Sequence, residues 1–123
     1  MTNRPVFLNL ARIQMPVGAL TSITHRVTGI LLALVVAAGF YLLELSLRDA
    51  ESFAQAREWV RSWPFKAAGI LSAWALGHHV LAGLRHMLMD IDVGSRLPAA
   101  RRSAWAVNVG GLLVALLAAG AML

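Results

Sequence analysis

The chain has 123 residues, of which 59% are hydrophobic, whereas soluble domains contain about 45–50% apolar residues, so its composition is typical of a membrane protein. The absence of cysteine excludes disulfides and cysteine-ligated iron–sulfur clusters in this chain. Basic loops that set membrane topology explain the net charge of +5, and we expect no nucleic-acid partner.

The first predicted membrane span covers residues 19–47 and follows the helix breakers Pro16 and Gly18. Within it, residues 27–43 contain Thr28 as the only conventional polar residue. A run of about 20 apolar residues is enough for a helix to cross a bilayer. This segment is therefore predicted to be a transmembrane helix.

The N-terminal end of this span carries a polar patch. Ser22, His25, Arg26 and Gly29 are spaced three and four residues apart, so they share one side of a helix. A hydroxyl beside a fixed cation suits a ligand whose carbonyl oxygens gain negative charge on reduction, because both donors bind more strongly as that charge appears. A capping serine beside a snorkelling arginine is the alternative, and the patch alone leaves it open.

Residues 50–62 are predicted to form a short helix at the membrane surface. Phe53, Ala56, Trp59 and Val60 recur at helical spacing among charges of both signs. Tryptophan is typical of the aromatic belt at the membrane boundary. We assign no chemistry to this stretch.

The second predicted span, residues 67–89, contains ionisable residues inside an apolar helix. They are His78, His79, Arg85 and His86. Ionisable groups at this depth are costly and usually functional. The span is therefore the first place to look for a site.

A helix places His79, Gly83 and His86 in one line. Neutral imidazole is a common axial ligand of haem iron, and a glycine one turn away would let a flat macrocycle approach the backbone. Arg85 and His86 are then expected near the haem carboxylates. Two axial ligands approach iron from opposite sides, so a second helix would have to supply the other one.

Simpler interpretations of these histidines remain open. A single intramembrane histidine is often only hydrogen-bonded to a neighbouring helix, and this applies to His79. His78 points about 100° away from His79 and is expected to pack or hydrogen-bond. His86 is interpreted as a helix-end or propionate residue before an iron ligand.

The third predicted span, residues 105–123, has Asn108 as its only strongly polar residue and is rich in glycine and alanine, which favours close helix packing. The positive-inside rule predicts a cytoplasmic N-terminus and an outer C-terminus. The basic residues on the same side as the N-terminus are Arg4, Arg12, Arg26, Arg96, Arg101 and Arg102. Those on the other side are Arg48, Arg57, Arg61 and Lys66.

Together these residues resemble the cytochrome b subunit of bacterial-type succinate dehydrogenase, the larger of its two small membrane-anchor chains. The resemblance runs from end to end. It rests on Arg4-Pro5 with the Pro16 break, on Ser-x-x-His-Arg-x-Thr-Gly at residues 22–29, and on His-x-x-x-Gly-x-Arg-His at residues 79–86. The second and third patterns are specific, because they also occur in the right order on the right spans.

The resemblance implies an all-α anchor of three transmembrane helices that pairs with a second membrane-anchor subunit. One haem b would lie between the two chains, with His79 as the axial ligand from this chain and the partner supplying the other. His25, Arg26 and His86 lie where the family contacts the haem propionates, and Gly83 belongs to the haem pocket.

The resemblance also implies that ubiquinone or a related quinone binds near the cytoplasmic end of the first helix, at the positions of Ser22 and Arg26. Electrons from succinate would arrive through a flavoprotein and an iron–sulfur subunit. The chain is then an enzyme subunit that does not oxidise succinate alone. Residues 1–123 are expected to form one anchor domain in a bacterial inner membrane.

One departure from the family concerns the residue before the haem ligand, which is often aromatic and here is His78. A swap of ligand is conceivable, although only His79 keeps the spacing to Gly83, Arg85 and His86. Two other classes of membrane protein are alternatives. The anchors of formate dehydrogenases or hydrogenases need more mid-membrane histidines, and a haem-free structural or transport subunit predicts a colourless complex.

Overall fold

The computed structural model describes residue 9 and residues 12–123, and Arg4 and Pro5 of the family resemblance lie outside them. In the described part the chain forms no strand and is built from helices α1 (Val17–Arg48), α2 (Ala50–Arg61), α3 (Trp63–Asp90) and α4 (Leu97–Met122). By length and composition α1, α3 and α4 can each cross a membrane. The predicted all-α, three-span fold is confirmed, whereas the cytoplasmic N-terminus stays a prediction.

α1 begins close to its predicted start, whereas two helices begin well before the residues that the sequence patterns predict. α3 begins at Trp63 and α4 at Leu97, each with a proline in its first turn. Proline is favoured there because its fixed φ suits a helix and the first backbone N–H groups have no helical partner. The segments that connect the helices are therefore shorter than predicted.

Short polar segments separate the helices. Asp49 follows α1 in an extended conformation and caps α2, since its side chain accepts a hydrogen bond of 2.7 Å from the Ser52 N–H. This bond lowers the pKa of the Asp49 carboxyl. Between α3 and α4, Asp92 and Gly94 have positive φ values of 62° and 75°, which turn the chain back.

The surface of the bundle is apolar, and several of its best-buried side chains are polar. Ile30, Phe40 and Leu117 are 67%, 68% and 76% exposed, whereas Thr21 and Thr28 are fully buried. Water-soluble proteins bury apolar side chains and expose polar ones, so this arrangement is reversed. It suits a protein whose outer surface meets lipid.

α3 packs against both α1 and α4. Its contact with α4 is close because of small residues: a Cβ at Gly77 would lie 2.9 Å from Val114 Cγ2, and a Cβ at Gly110 would lie 2.6 Å from Leu81 Cδ1. The prediction that α4 uses its small residues for packing therefore agrees with this contact. Because α3 lies close to both α1 and α4, its side chains can contact either helix.

Candidate functional site

His79 points from α3 towards α1 and contacts its backbone. Its Nδ1 lies 3.1 Å from the carbonyl oxygen of His25 and 3.2 Å from Thr28 Oγ1. The Thr28 hydroxyl itself donates to the same carbonyl over 2.9 Å. Because a carbonyl oxygen only accepts hydrogen bonds, we infer that Nδ1 of His79 carries the proton in this contact.

This proton assignment determines the other ring nitrogen. In a neutral imidazole only one nitrogen is protonated, so Nε2 of His79 keeps its lone pair. Histidines that bind metals typically donate their second N–H to a carbonyl or carboxylate, which fixes the tautomer and the ring orientation. Of the residues predicted to bind a cofactor, His79 therefore has the clearest ligand geometry.

Gly29 allows this contact between α1 and α3. A Cβ at Gly29 would lie only 3.1 Å from Cε1 of His79. Any side chain there would push the imidazole away from the His25 carbonyl. Gly29, the last residue of the pattern at residues 22–29, thus leaves room for His79, the first residue of the pattern at residues 79–86.

Three predicted site histidines meet between α1 and α3. The ring of His25 stacks on His79 with centroids 4.2 Å apart, and the ring of His86 lies 5.2 Å from His25. A Cβ at Gly83 would lie 3.5 Å from His25 Nε2, so the predicted line on α3 faces His25. Within the described residues no three His, Cys, Asp or Glu side chains are arranged to hold a metal ion by themselves.

Ser22 and Arg26 lie beside this cluster on α1. At 100° per residue, Ser22 points about 60° and Arg26 about 100° away from His25 around the helix. Ser22 is partly exposed and Arg26 is exposed. Among the described residues neither side chain has a hydrogen-bond or ion-pair partner, so both are available to a ligand.

His78 points towards α4, about 100° away from His79, and is enclosed. It is 1% exposed, and its Nε2 lies 3.1 Å from Asn108 Oδ1 on α4. Thr21 Oγ1 on α1 lies 3.2 Å from the same oxygen and 3.0 Å from the Val17 carbonyl, between which its one proton is shared. These three side chains form a polar node that joins all three long helices, as expected for a packing role of His78.

Beside the polar node is a cavity of about 210 Å³, lined by Thr24, Trp74, His78, Asn108 and Leu112. Nδ1 of His78 is buried and has no hydrogen-bond partner within the described chain. Pockets for drug-sized ligands usually have volumes of about 300–1,000 Å³. This cavity is smaller, and the ring of His78 is enclosed within the chain.

Arg85 does not lie with the histidine cluster, although its neighbour His86 does. It is 8% exposed, its Nε donates to Ser103 Oγ over 3.0 Å, and a terminal nitrogen donates to the Ala100 carbonyl over 3.1 Å. In this structure its guanidinium is bonded to α4, and the expectation that it meets the haem carboxylates stays a prediction. One position along a helix turns a side chain by about 100°, enough to move it from α1 to α4.

Sequence reasoning missed the groups that contact His79 and His78. The His25 carbonyl and the Thr28 hydroxyl belong to the motif at residues 22–29, but nothing in that motif indicates a bond to His79. Asn108 was assigned to packing alone. Its position as the one strongly polar residue of an apolar span was the available signal.

Comparison with known proteins decides the family. The model of the succinate dehydrogenase/fumarate reductase transmembrane subunit family matches residues 1–119. The chain belongs to this family. The histidine cluster and the Ser22–Arg26 pair are thus features of a succinate dehydrogenase-type membrane anchor of the cytochrome b class.

Individual relatives of the family agree. The chain is 35% identical to the succinate dehydrogenase cytochrome b556 subunit of Paracoccus denitrificans over 115 residues, which cover 94% of this chain and 88% of that protein. It is also 35% identical to the subunit of the same name from Coxiella burnetii, covering 94% and 93%. A hydrophobic membrane anchor subunit of Archaeoglobus fulgidus is 36% identical over 72 residues, which cover 58% of this chain and 62% of that protein.

Proposed function

We propose that this chain is the haem b- and quinone-binding anchor of a succinate:quinone oxidoreductase in a bacterial inner membrane. One observation carries the proposal: the His79 imidazole is held by the His25 carbonyl and Thr28, with the lone pair of its Nε2 free. Together with the family membership, this favours a ligand role for His79. The chain is then an enzyme subunit whose partners oxidise succinate.

The residues around His79 fit a haem. His79 would supply one axial ligand, and the second would come from the partner anchor subunit. A bound b-type haem supplies one-electron redox chemistry. His25, His86 and Arg26 would hold the propionates, and Gly83, whose missing side chain leaves room for the His25 ring, would line the haem pocket.

Ser22 and Arg26 would bind the quinone. Reduction of a quinone to a quinol takes up two electrons and two protons. Ser22 would donate a hydrogen bond to one quinone carbonyl, and Arg26 would stabilise the negative charge that develops on the oxygen. The electrons would come from succinate through the flavoprotein and iron–sulfur subunits, and ubiquinone is the expected quinone.

The alternative is a haem-free structural or transport subunit. The polar node of Thr21, His78 and Asn108 is the observation that favours it, because those polar side chains contact one another inside the bundle. The same explanation does not extend to Ser22 and Arg26. They have no side-chain partners among the described residues.

A visible spectrum of the assembled complex tests the proposal. The complex is purified from native membranes with its partner subunits, and a reduced-minus-oxidised spectrum is recorded. We expect the sharp bands of a six-coordinate b haem in a 1:1 ratio to this chain. A fully assembled, active but colourless complex would return His79 to a packing role and leave the quinone site to Ser22 and Arg26.

A further inference from the structure

An apolar groove lies between α1 and α2, far from the histidine cluster. Its volume is about 630 Å³, and its apolar walls include Leu42 and Leu43 of α1 with Phe53 and Val60 of α2. This volume lies within the usual range of ligand pockets. Gly39 of α1 also lines the groove, and a Cβ there would meet no atom within 4 Å.

Two arginines line the same groove. Arg57 and Arg61 are one helical turn apart on α2, and both belong to the groove wall. Both are exposed, and neither side chain has an ion-pair or hydrogen-bond partner among the residues that the structure describes. The acidic residues of α2, Glu51 and Glu58, point about 60–120° away from them around the helix. The groove therefore has an apolar wall and a positively charged rim.

A third arginine at this end of the bundle differs from these two. Arg48 donates to Glu44 over 2.9 Å, so its charge is already paired. It does not line the groove. The unpaired charge is thus concentrated at Arg57 and Arg61.

The position of the groove along α1 suits a lipid. α1 has 32 residues, and its length of about 48 Å exceeds the hydrocarbon core of about 30 Å. The groove extends from Gly39, within the apolar part of α1, to Ser46 near its polar end. Trp59 and Trp63 are exposed at the same end, as expected at a headgroup boundary.

We propose that this groove binds one anionic phospholipid. An acyl chain would lie along the apolar wall towards Gly39, and the guanidinium groups of Arg57 and Arg61 would donate hydrogen bonds to the phosphate. Arginine suits this role because its planar fork of donors matches the oxygens of a phosphate. The proposal is independent of haem and quinone binding.

Native mass spectrometry of the assembled complex tests the site. The complex is exchanged into detergent micelles that contain equal amounts of dioleoylphosphatidylglycerol and dioleoylphosphatidylcholine, and retained lipid is counted. We expect the wild type to retain the anionic lipid preferentially. Each of Arg57→Gln and Arg61→Gln is expected to lower that preference about fivefold, the effect of one basic residue at an anionic surface.

Two further variants separate the parts of the proposal. Arg48→Gln removes a paired arginine at the same end and is expected to leave the lipid preference unchanged. Gly39→Phe adds an aromatic side chain to the groove wall, where a Cβ would meet no atom within 4 Å, and is expected to reduce retention of both lipids. Equal retention of the two lipids by the wild type, an equal loss in Arg48→Gln, or unchanged retention in Gly39→Phe would each overturn the proposal. Occupation of the groove by a segment of another subunit would overturn it as well.

Discussion

His78 and His79 are adjacent in the chain, but their rings contact different helices. His78 Nε2 lies 3.1 Å from Asn108 Oδ1 on α4, and His79 Nδ1 lies 3.1 Å from the His25 carbonyl on α1. Neighbouring positions on a helix point about 100° apart. One helix can therefore use one histidine for packing and the next for a ligand.

This difference predicts opposite effects on haem content. His79→Leu is expected to abolish haem binding because it removes the only described imidazole with a fixed Nδ1 donor and a free Nε2. His78→Phe is expected to keep the haem, since the ring that it replaces is enclosed by packing. Haem per complex is measured by the pyridine haemochrome method. Haem retained without His79 and lost without His78 would reverse the assignment.

Thr28 is predicted to position His79. Thr28→Val removes the hydroxyl that lies 3.2 Å from His79 Nδ1, while the isosteric side chain keeps the packing. Changes beside a metal ligand typically weaken metal affinity by about 10–100-fold, and we expect faster loss of haem to an acceptor such as apomyoglobin. The midpoint potential should also shift. Thr28→Ser restores the hydroxyl and should restore both properties, and failure of that rescue would assign Thr28 to packing.

Much of this site could be predicted from the sequence because helical periodicity decides which side chains share a face. The spacing of His79, Gly83 and His86 placed them together, and the structure brings all three beside His25. The same spacing turns Arg85 by about 100–160° from them. In the structure its side chain bonds to Ser103 and Ala100 of α4.

The partners across helices could not be predicted. Thr28 and His79 are 51 positions apart, and His78 and Asn108 are 30 apart. Periodicity gives the direction of a side chain relative to its own helix, but it does not specify which neighbouring helix lies there or at what height. That information comes from the packing of α3 between α1 and α4, where small residues set the distance.

Ser22 and Arg26 are predicted to act on the quinone. Ser22→Ala should raise the KM for quinone about fivefold, the effect of losing one neutral hydrogen bond. Arg26→Gln should lower kcat/KM by about tenfold or more, because a charged donor contributes more. Succinate-dependent quinone reduction by the complex measures both.

Ser46→Ala is the matched control for the quinone site. Its hydroxyl donates only to the Leu43 carbonyl at the other end of α1, so quinone kinetics should not change. Unchanged kinetics in Ser22→Ala would show that this serine does not contact the quinone.

Asn108 is predicted to stabilise the bundle through the polar node. Asn108→Leu removes the partner of His78, so the buried imidazole would lose its one hydrogen bond, whereas Thr21 keeps its bond to the Val17 carbonyl. A buried polar group without a partner costs about 1–3 kcal/mol, and we expect that loss in the free energy of unfolding in mixed micelles. The double variant His78→Phe with Asn108→Leu should recover part of it, because no unpaired imidazole remains. A double variant that loses the sum of both single effects would contradict this coupling.

Gly77 is predicted to control the distance between α3 and α4. A Cβ there would lie 2.9–3.1 Å from three atoms of Val114, whose β-branched side chain has little freedom to move. Gly77→Ala should therefore lower the free energy of unfolding by about 1–3 kcal/mol, the usual cost of overpacking. Gly120→Ala is the control, since a Cβ at Gly120 meets no atom within 4 Å. Because alanine favours helix over glycine, Gly120→Ala should be neutral or slightly stabilising, and equal effects of the two variants would show that Val114 does not limit the approach of the helices.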